Sequence, residues 1–287
     1  MSVTIAMPVR NGVATIATAI RSCRQQTYRE WTLDVIDDGS SDDTAALVRS
    51  FGDDRIRWSS DGRNLGLAAR LNQAIDRCET AYFARLDADD IAYPERLERQ
   101  VAFLEGHQRV DLVGTASLLF DDVGRVVGLA PFRATHAEIC ARPWSGFYLS
   151  HPTWMGRAGW FRRHRYRADM PKAQDQDLLL RAWRESEFAC LPEVLTGYRQ
   201  DRLLIGKQLR TRWHFARALA RAGWRQRDPW HAFVAPLGQA AKGLYESLAI
   251  GAGLTESARR HRALPVPQAE VERWNALWTE LAAGGTG

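Results

Sequence analysis

Cysteine is scarce and scattered. Cys23, Cys78, Cys140 and Cys190 are the only four in 287 residues, and no two form a Cys-x-x-Cys pair. Neither a zinc site nor a disulfide framework is indicated, and a reducing, cytoplasmic setting is the default expectation. Long hydrophobic runs are missing as well. Even Phe233 to Leu254 is interrupted by Gln239, Lys242 and Glu246, short of the roughly 18 apolar residues that cross a bilayer. Met1 leads almost directly into an apolar strand with no basic region ahead of it, so a secretory signal is not expected. No Gly-x-Gly-x-x-Gly follows that strand and no Gly-x-x-x-x-Gly-Lys-Ser/Thr occurs, so the usual glycine cradles for phosphate are lacking. Acids are nearly absent from one stretch: between Arg199 and Arg227, Asp201 stands against nine Lys and Arg. Within a formal net charge of +5, that local excess fits a partner carrying phosphate, whether nucleotide, lipid headgroup or nucleic acid.

What is present begins with enough apolar residue, 45% against 25% charged, to bury a core in one large domain or two modest ones. Short apolar runs at Val3 to Val9, Trp31 to Ile36, Ile56 to Trp58 and Ala81 to Leu86 predict strands. Between them, Ile16 to Cys23, Asp42 to Val48 and Leu67 to Cys78 carry helical spacing. Strict alternation predicts an α/β fold, a mostly parallel sheet with helices on both faces, and such sheets collect ligands at their carboxyl edge. Arg10-Asn11, Asp37-Asp38, Arg63-Asn64 and Asp87 to Asp90 all fall at that edge, so the fold would gather them into one crevice.

The last of these clusters carries the most chemistry. Three carboxylates at a strand end repel one another unless a cation is shared between them, and oxygen-only ligands suit Mg²⁺ or Mn²⁺. The same residues also read as a solvated acidic turn, with Asp90 or a neighbour capping the helix that starts near Pro94. Beyond it, Leu97, Val101 and Leu104 predict a helix and Val110 to Phe120 a strand. Asp121 to Gly124 predict a hairpin turn into Arg125-Val-Val-Gly, in a less regular section that mixes antiparallel strands with loops. Asp175 and Asp177 open an apolar-faced helix whose dipole favours their ionised form, and capping alone would explain both. Lys207 to Trp224 predicts one amphipathic helix, basic on one side. Further helix after about residue 229 is expected to break at Pro236 and Gly243, and residues 284–287 to be a disordered tail.

Several ordered motifs then resemble a known family. "IAMPVRNG", "QTYREWTLDVIDDGSSDDT", "NLGLAARLNQAI", "RLDADD", "HPTWMGR", "AQDQDLLLRAW" and "LPEVLTGYR" follow one another over roughly residues 2–199. Together they resemble the inverting, nucleotide-sugar-dependent glycosyltransferases of family 2, which have the GT-A (Rossmann-like) fold. The resemblance implies a nucleotide-sugar half at residues 1–105 and an acceptor and catalytic-base half at 106–205, with a helical basic C-terminal extension at 206–287. It implies nucleotide contacts from Pro8, Arg10, Asn11, Asp37, Asp38, Asn64, Arg70 and Asp87, metal contacts from Asp87 and Asp89, and Asp175 as catalytic base. Asp90 could share the metal. His151, Asp177 and Arg199 become candidates for acceptor or phosphate contact, and Arg157 a further phosphate candidate. Gln174 departs from the family's Glu-Asp pair and removes a carboxylate beside the base.

The implied activity is metal-dependent transfer of a sugar, with inversion, from a nucleoside-diphosphate sugar to a hydroxyl of a glycan or lipid-linked acceptor. UDP-sugars are the favoured donors and Mn²⁺ or Mg²⁺ the cofactor, and no nucleic-acid partner is expected. The setting is cytoplasmic, with peripheral contact at the inner face of a membrane through the basic C-terminal helix. Two alternatives stay open at this stage. One is sugar nucleotidyl transfer, which also uses metal-bound carboxylates on an α/β sheet. The other is a non-enzymatic nucleic-acid or membrane-surface module built on Arg199 to Arg227.

Overall fold

The computed structural model describes residues 1–200, 205–251 and 263–284. Residues 285–287 of the predicted tail lie outside them. β1 (Val3–Val9), α1 (Ile16–Arg24), β2 (Trp31–Asp37), α2 (Thr44–Arg49), β3 (Ile56–Ser59), α3 (Leu67–Arg77) and β4 (Tyr82–Arg85) alternate as expected. The strands run parallel in the order β3-β2-β1-β4. β1 is buried along nearly its whole length, which explains its unbroken apolar character: helices cover both faces of a parallel sheet. Ile16, Ala19, Ile20 and Cys23 turn one stripe of α1 inward, and Ala68, Leu71 and Ile75 do the same for α3.

The second section joins the same sheet. It comprises β5 (Ile91–Ala92), α4 (Arg96–Gly106), β6 (Leu112–Phe120), β7 (Val126–Leu129), α5 (His136–Ile139), β8 (Met155–Arg157), α6 (Ala158–Arg163), α7 (Gln174–Ala182) and β9 (Phe188–Arg199). β8 pairs antiparallel with β4 and β6, β9 lies parallel to β6, and β5 closes that edge antiparallel to β9. One mixed nine-stranded sheet therefore spans both halves. Arg157, expected near phosphate, sits opposite Tyr82 at the far end of β4 from the acidic cluster, because β8 runs against it. Its guanidinium donates instead to the carbonyls of Val110 and Leu104.

α8 (Ile205–Arg225) and α9 (Pro229–Gly251) form a helical hairpin. α9 continues through Pro236 and Gly243, where breaks were expected. Gly243 is turned toward α8, and a Cβ there would lie 3.4 Å from Leu209 Cδ2, so the glycine lets the helices approach rather than ending one. α10 (Gln268–Ala282) returns to the body: Trp274 and Leu281 are wholly buried in the core around β1, and the Trp274 indole N–H donates to the Gly124 carbonyl at 2.7 Å. Among the described residues no helix is long and apolar enough to cross a membrane.

Candidate active site

The carboxyl edge of the parallel strands gathers the loops that follow β1, β2 and β4. After β1, Asn11 adopts a left-handed backbone at φ 52°. Its Oδ1 accepts from the Ser41 N–H at 2.8 Å and its own N–H donates to Ser40 Oγ at 2.9 Å, joining the first two loops. Pro8 lies level with Ile36 one step before that edge. Asp37 accepts from the Ser40 N–H at 2.9 Å and from the Ser60 hydroxyl at 2.6 Å. Burial alone would raise its carboxyl, but the Ser40 and Ser60 hydrogen bonds outweigh it and hold Asp37 below the usual range.

Asp38 organises the third loop. Its carboxylate accepts from the Leu65 and Gly66 N–H groups at 2.7 and 3.0 Å and from Arg70 Nε at 3.0 Å. Asn64 bridges it to Arg10, its amide nitrogen donating to Asp38 and its oxygen accepting from the Arg10 guanidinium. Arg70 is expected to contact the nucleotide, yet it is almost wholly buried and all three guanidinium nitrogens are engaged by Asp38, Asp61, Gln73 and the Arg63 carbonyl. It braces the 61–66 loop from behind.

At the end of β4, carboxylate oxygens of Asp87, Asp89 and Asp90 lie within 4.8 Å of one another. Asp90 is fully buried. Its Oδ1 accepts from the Arg199 N–H at 2.8 Å, while Oδ2 is buried without a partner. Burial, then the charges of Asp89 and Asp87, push its carboxyl well up. The capping alternative does not hold: α4 starts after Glu95, and no side chain caps it. A buried unpartnered carboxylate oxygen in an all-oxygen cluster fits a hard divalent cation, which would relieve the repulsion.

Arg85 stands beside this cluster on the same strand, an arginine in an otherwise apolar run. It is buried, its Nη2 bonds Asp87, and its Nε and Nη1 have no partner. Burial would lower the guanidinium pKa, but Asp87, Tyr166, Asp90 and Asp175 together raise it. That lone charge among apolar neighbours is its signal in the sequence.

Opposite lies the N-terminus of α7. Ala173 takes a left-handed backbone, φ 55° and ψ 27°, a conformation that costs a non-glycine residue about 1–2 kcal/mol and turns the chain into the helix. Gln174 follows, 7% exposed, with Oε1 unpartnered. Burial raises the Asp175 carboxyl, opposed by hydrogen bonds from Gln176 and by Arg85. Gln176 clamps the Phe147 backbone, accepting from its N–H at 2.8 Å and donating to its carbonyl at 3.3 Å. Asp177 points elsewhere: two positions along a helix are nearly opposite faces, and it is buried between Arg167 and Arg181 at 3.1 and 2.9 Å. It ties α7 to the 165–167 segment instead of facing an acceptor.

A crevice of about 1190 Å³ joins the two sides, lined by Arg85, Asp87, Asp89, Gln174, Asp175 and Arg199 among others. His151 and Tyr198 line it as well, and His151 Nε2 pairs with the Tyr166 hydroxyl at 2.8 Å. Burial, with Arg85 nearby, holds the His151 pKa well down, so the ring is neutral. Arg199 lies over the Phe120 ring at 4.8 Å, and its Nε donates to the Asp89 carbonyl at 3.0 Å.

Known proteins share this architecture. The putative glycosyltransferase EpsE of Bacillus subtilis is 35% identical over 210 residues, 69% of this chain and 73% of EpsE. A UDP-Glc:alpha-D-GlcNAc-diphosphoundecaprenol beta-1,3-glucosyltransferase, WfgD of Escherichia coli, is 33% identical over 139 residues, 48% of this chain and 54% of WfgD. Among solved structures, S. aureus TarS 1-349 in complex with UDP-GlcNAc superposes with a TM-score of 0.63 at 17% identity, covering 100% of this chain and 82% of that one. This chain covers 49% of the longer TarS structure. A mannosyltransferase of Pyrobaculum calidifontis, solved with GDP-Man and Mn2+, gives a TM-score of 0.61 at 16% identity over 98% of this chain and 85% of its own. Residues 4–165 match the glycosyl transferase family 2 profile, more than half of the sequence and every strand from β1 to β8. With the GT-A-like sheet and the glycosyltransferase relatives, that match makes this chain a member of glycosyl transferase family 2.

Proposed function

We propose that the chain is an inverting, divalent-cation-dependent transferase that moves a sugar from a UDP-sugar to a hydroxyl of a glycan or lipid-linked acceptor. The observation that carries this is the shared crevice: Asp87 and Asp89 of the acidic cluster line it together with Asp175, a carboxyl raised by burial. Residues 1–105 form the donor half and 106–205 the acceptor half, with α8 and α9 as appended helices. Asp37, Asp38, Arg10, Asn11 and Asn64 frame the nucleotide, with Pro8 beneath them. The UDP-GlcNAc complex of TarS and the UDP-Glc named for WfgD support a uridine donor.

Asp87, Asp89 and Asp90 would hold the cation, Mn²⁺ or Mg²⁺. When bound, it stabilises the charge that develops on the leaving diphosphate. Asp175 accepts the proton of the acceptor hydroxyl. That oxygen bonds to the anomeric carbon as the bond from this carbon to the β-phosphate oxygen breaks, the nucleoside diphosphate leaves with the electron pair, and the configuration inverts. Gln176 fixes the turn that presents Asp175, and neutral His151 and Arg199 face the acceptor side. Polysaccharide or cell-surface glycan synthesis on the cytoplasmic side, with peripheral membrane contact, belongs to the same proposal.

The test is UDP release from a panel of UDP-sugars with Mn²⁺ and candidate acceptors. Asp175→Asn is expected to abolish release while UDP still binds. Turnover at the parental rate in Asp175→Asn would remove the assigned base, and absence of UDP binding in the parent would remove the uridine donor.

A further inference from the structure

α9 is turned inside out relative to an ordinary surface helix. The side that packs on α8 carries Ala232, Gln239, Gly243 and Glu246, all buried, and Arg212 of α8 closes on Glu246 Oε1 at 2.6 Å and on Gln239 Oε1 at 2.9 Å. The outward side carries Trp230, Phe233, Leu237, Leu244, Tyr245 and Leu248, each 57–70% exposed. Their spacing keeps them on one face for about five turns, or roughly 27 Å. At one end Trp224 of α8, also exposed, meets Phe233 edge-on at 5.5 Å and widens the face. An unbroken apolar surface of this size on a chain that otherwise buries its core marks a contact with something apolar.

Charge selects the partner. Residues 205–251 hold eight Lys and Arg, and their only acids are Asp228 and Glu246. Glu246 is buried against Arg212, and Asp228 accepts from the His231 N–H at 3.1 Å. Arg217 and Arg221 reach back to Asp169 of the main body. Arg227, in the turn that joins the helices, and Lys242 of α9 stay exposed beside the apolar face, while Arg210 and Arg225 are exposed elsewhere on α8. A second copy seated by a two-fold axis would set this cationic rim against itself with no exposed acid to answer it. An anionic bilayer surface complements both features: headgroups meet the rim, the acyl boundary takes the leucines, and the indoles sit between.

We propose that the outward face of α9, with Trp224, seats this protein on an anionic bilayer surface. The contact is made by the apolar face of α9, with Arg227 at its start and Lys242 along it as the basic flank. Lys242 and Tyr245 also line the catalytic crevice, so the seat runs to the crevice mouth. Resting on the lipid-linked-acceptor part of the function proposed above, this brings an acceptor diphosphate held at the headgroups within reach of Asp175.

The experiment is vesicle flotation of the full chain, wild type and Leu237→Glu/Leu244→Glu, with phosphatidylcholine alone and with phosphatidylglycerol added. Light scattering on the same samples reads the oligomeric state, and a UDP and Mn²⁺ thermal shift reads donor binding. Wild type is expected to float with the mixed vesicles and far less with phosphatidylcholine alone. The double variant should bind the mixed vesicles at least about tenfold more weakly and keep the UDP shift. No flotation of wild type with the mixed vesicles, or equal flotation of the variant, overturns the proposal. So does a wild-type dimer that the variant converts to monomer without vesicle binding, which would assign the face to a second copy. Flotation as expected with no UDP shift leaves the membrane seat standing and strikes the donor reading instead.

Discussion

The backbone N–H of Arg199 donates to Oδ1 of Asp90 at 2.8 Å, joining two residues 109 positions apart at the base of the acidic cluster. The last long strand of the sheet therefore holds one oxygen of Asp90 and leaves the other buried without a partner. A carboxyl raised by burial and by Asp89 and Asp87 gives up its proton less readily when folded than when unfolded. Without metal, its ionisation thus makes stability fall as pH rises from the unfolded pKa through the higher folded one. Asp90→Asn keeps an acceptor for Arg199 and removes that penalty. Its Tm at neutral pH in EDTA is expected to equal or exceed that of the parent, and its Mn²⁺-induced rise in Tm to disappear. A Mn²⁺ shift of parental size in the variant would exclude Asp90 from the metal site.

Arg70 supports the proposed nucleotide side without facing it. Its guanidinium joins Asp38, Asp61 and the Arg63 carbonyl, and Asp38 in turn receives the Leu65 and Gly66 N–H groups. Arg70→Ala leaves a buried carboxylate without its cation, and about 3–5 kcal/mol of stability should be lost in urea unfolding. Arg70→Lys is expected to recover little of it, because an ammonium cannot reproduce the fork that serves several acceptors. UDP affinity should weaken in both variants. A lysine variant as stable as the parent would show that charge alone, without geometry, braces the loop.

The first four strands were legible because each is a short apolar run between polar turns, and the loops at their ends carry the chemistry. β8 and β5, with three and two residues, are too short for any periodicity, and their partners are fixed by contacts far away in sequence. Asp175 was legible through its motif, but the divergence of Asp177 from it depends on Arg167 and Arg181, which only the packed helix brings close. Pro236 and Gly243 are helix breakers in isolation, yet the close packing of α9 on α8 overrides that tendency. Arg85 passed as part of a strand because nothing local shows that two of its nitrogens end up buried without partners.

Trp274 is a further case, and a measurable one. The sequence predicts an appended helical section over residues 206–287, whereas α10 docks this indole against Phe120, with ring centroids 4.6 Å apart, and against Gly197. Trp274→Ala removes a fully buried ring and its bond to Gly124, and a loss of about 3–5 kcal/mol is expected in chemical denaturation. Limited proteolysis should then cut within α10. An unchanged denaturation midpoint would mean that α10 contributes no stability to the core.

The pH dependence of turnover should report Asp175. A base must be ionised to accept the hydroxyl proton, so kcat/KM falls as pH drops through its pKa. Burial sets that limb above the ordinary carboxylate range. Arg85 opposes the shift, so Arg85→Met is expected to move the acid limb to higher pH as well as lower the plateau. A limb that moves to lower pH in Arg85→Met would contradict the electrostatic coupling of the two residues.

Gln174 offers the sharpest probe of what distinguishes this site. Its side chain is buried beside the proposed base with Oε1 unpartnered, which leaves that oxygen open to a donor arriving with the substrate. Replacing it by a carboxylate has two separable effects. A second negative charge beside Asp175 disfavours ionisation of both, which moves the acid limb of kcat/KM further up in pH. The variant also puts a charged oxygen where the neutral amide oxygen would receive the substrate's donor, so KM for the acceptor is expected to change. Gln174→Glu is therefore expected to lower turnover at neutral pH by about tenfold or more and to recover part of it at alkaline pH, with UDP affinity unchanged. If acceptor KM and the acid limb both match the parent, Gln174 does not touch the acceptor, and its unpartnered oxygen must be satisfied by water.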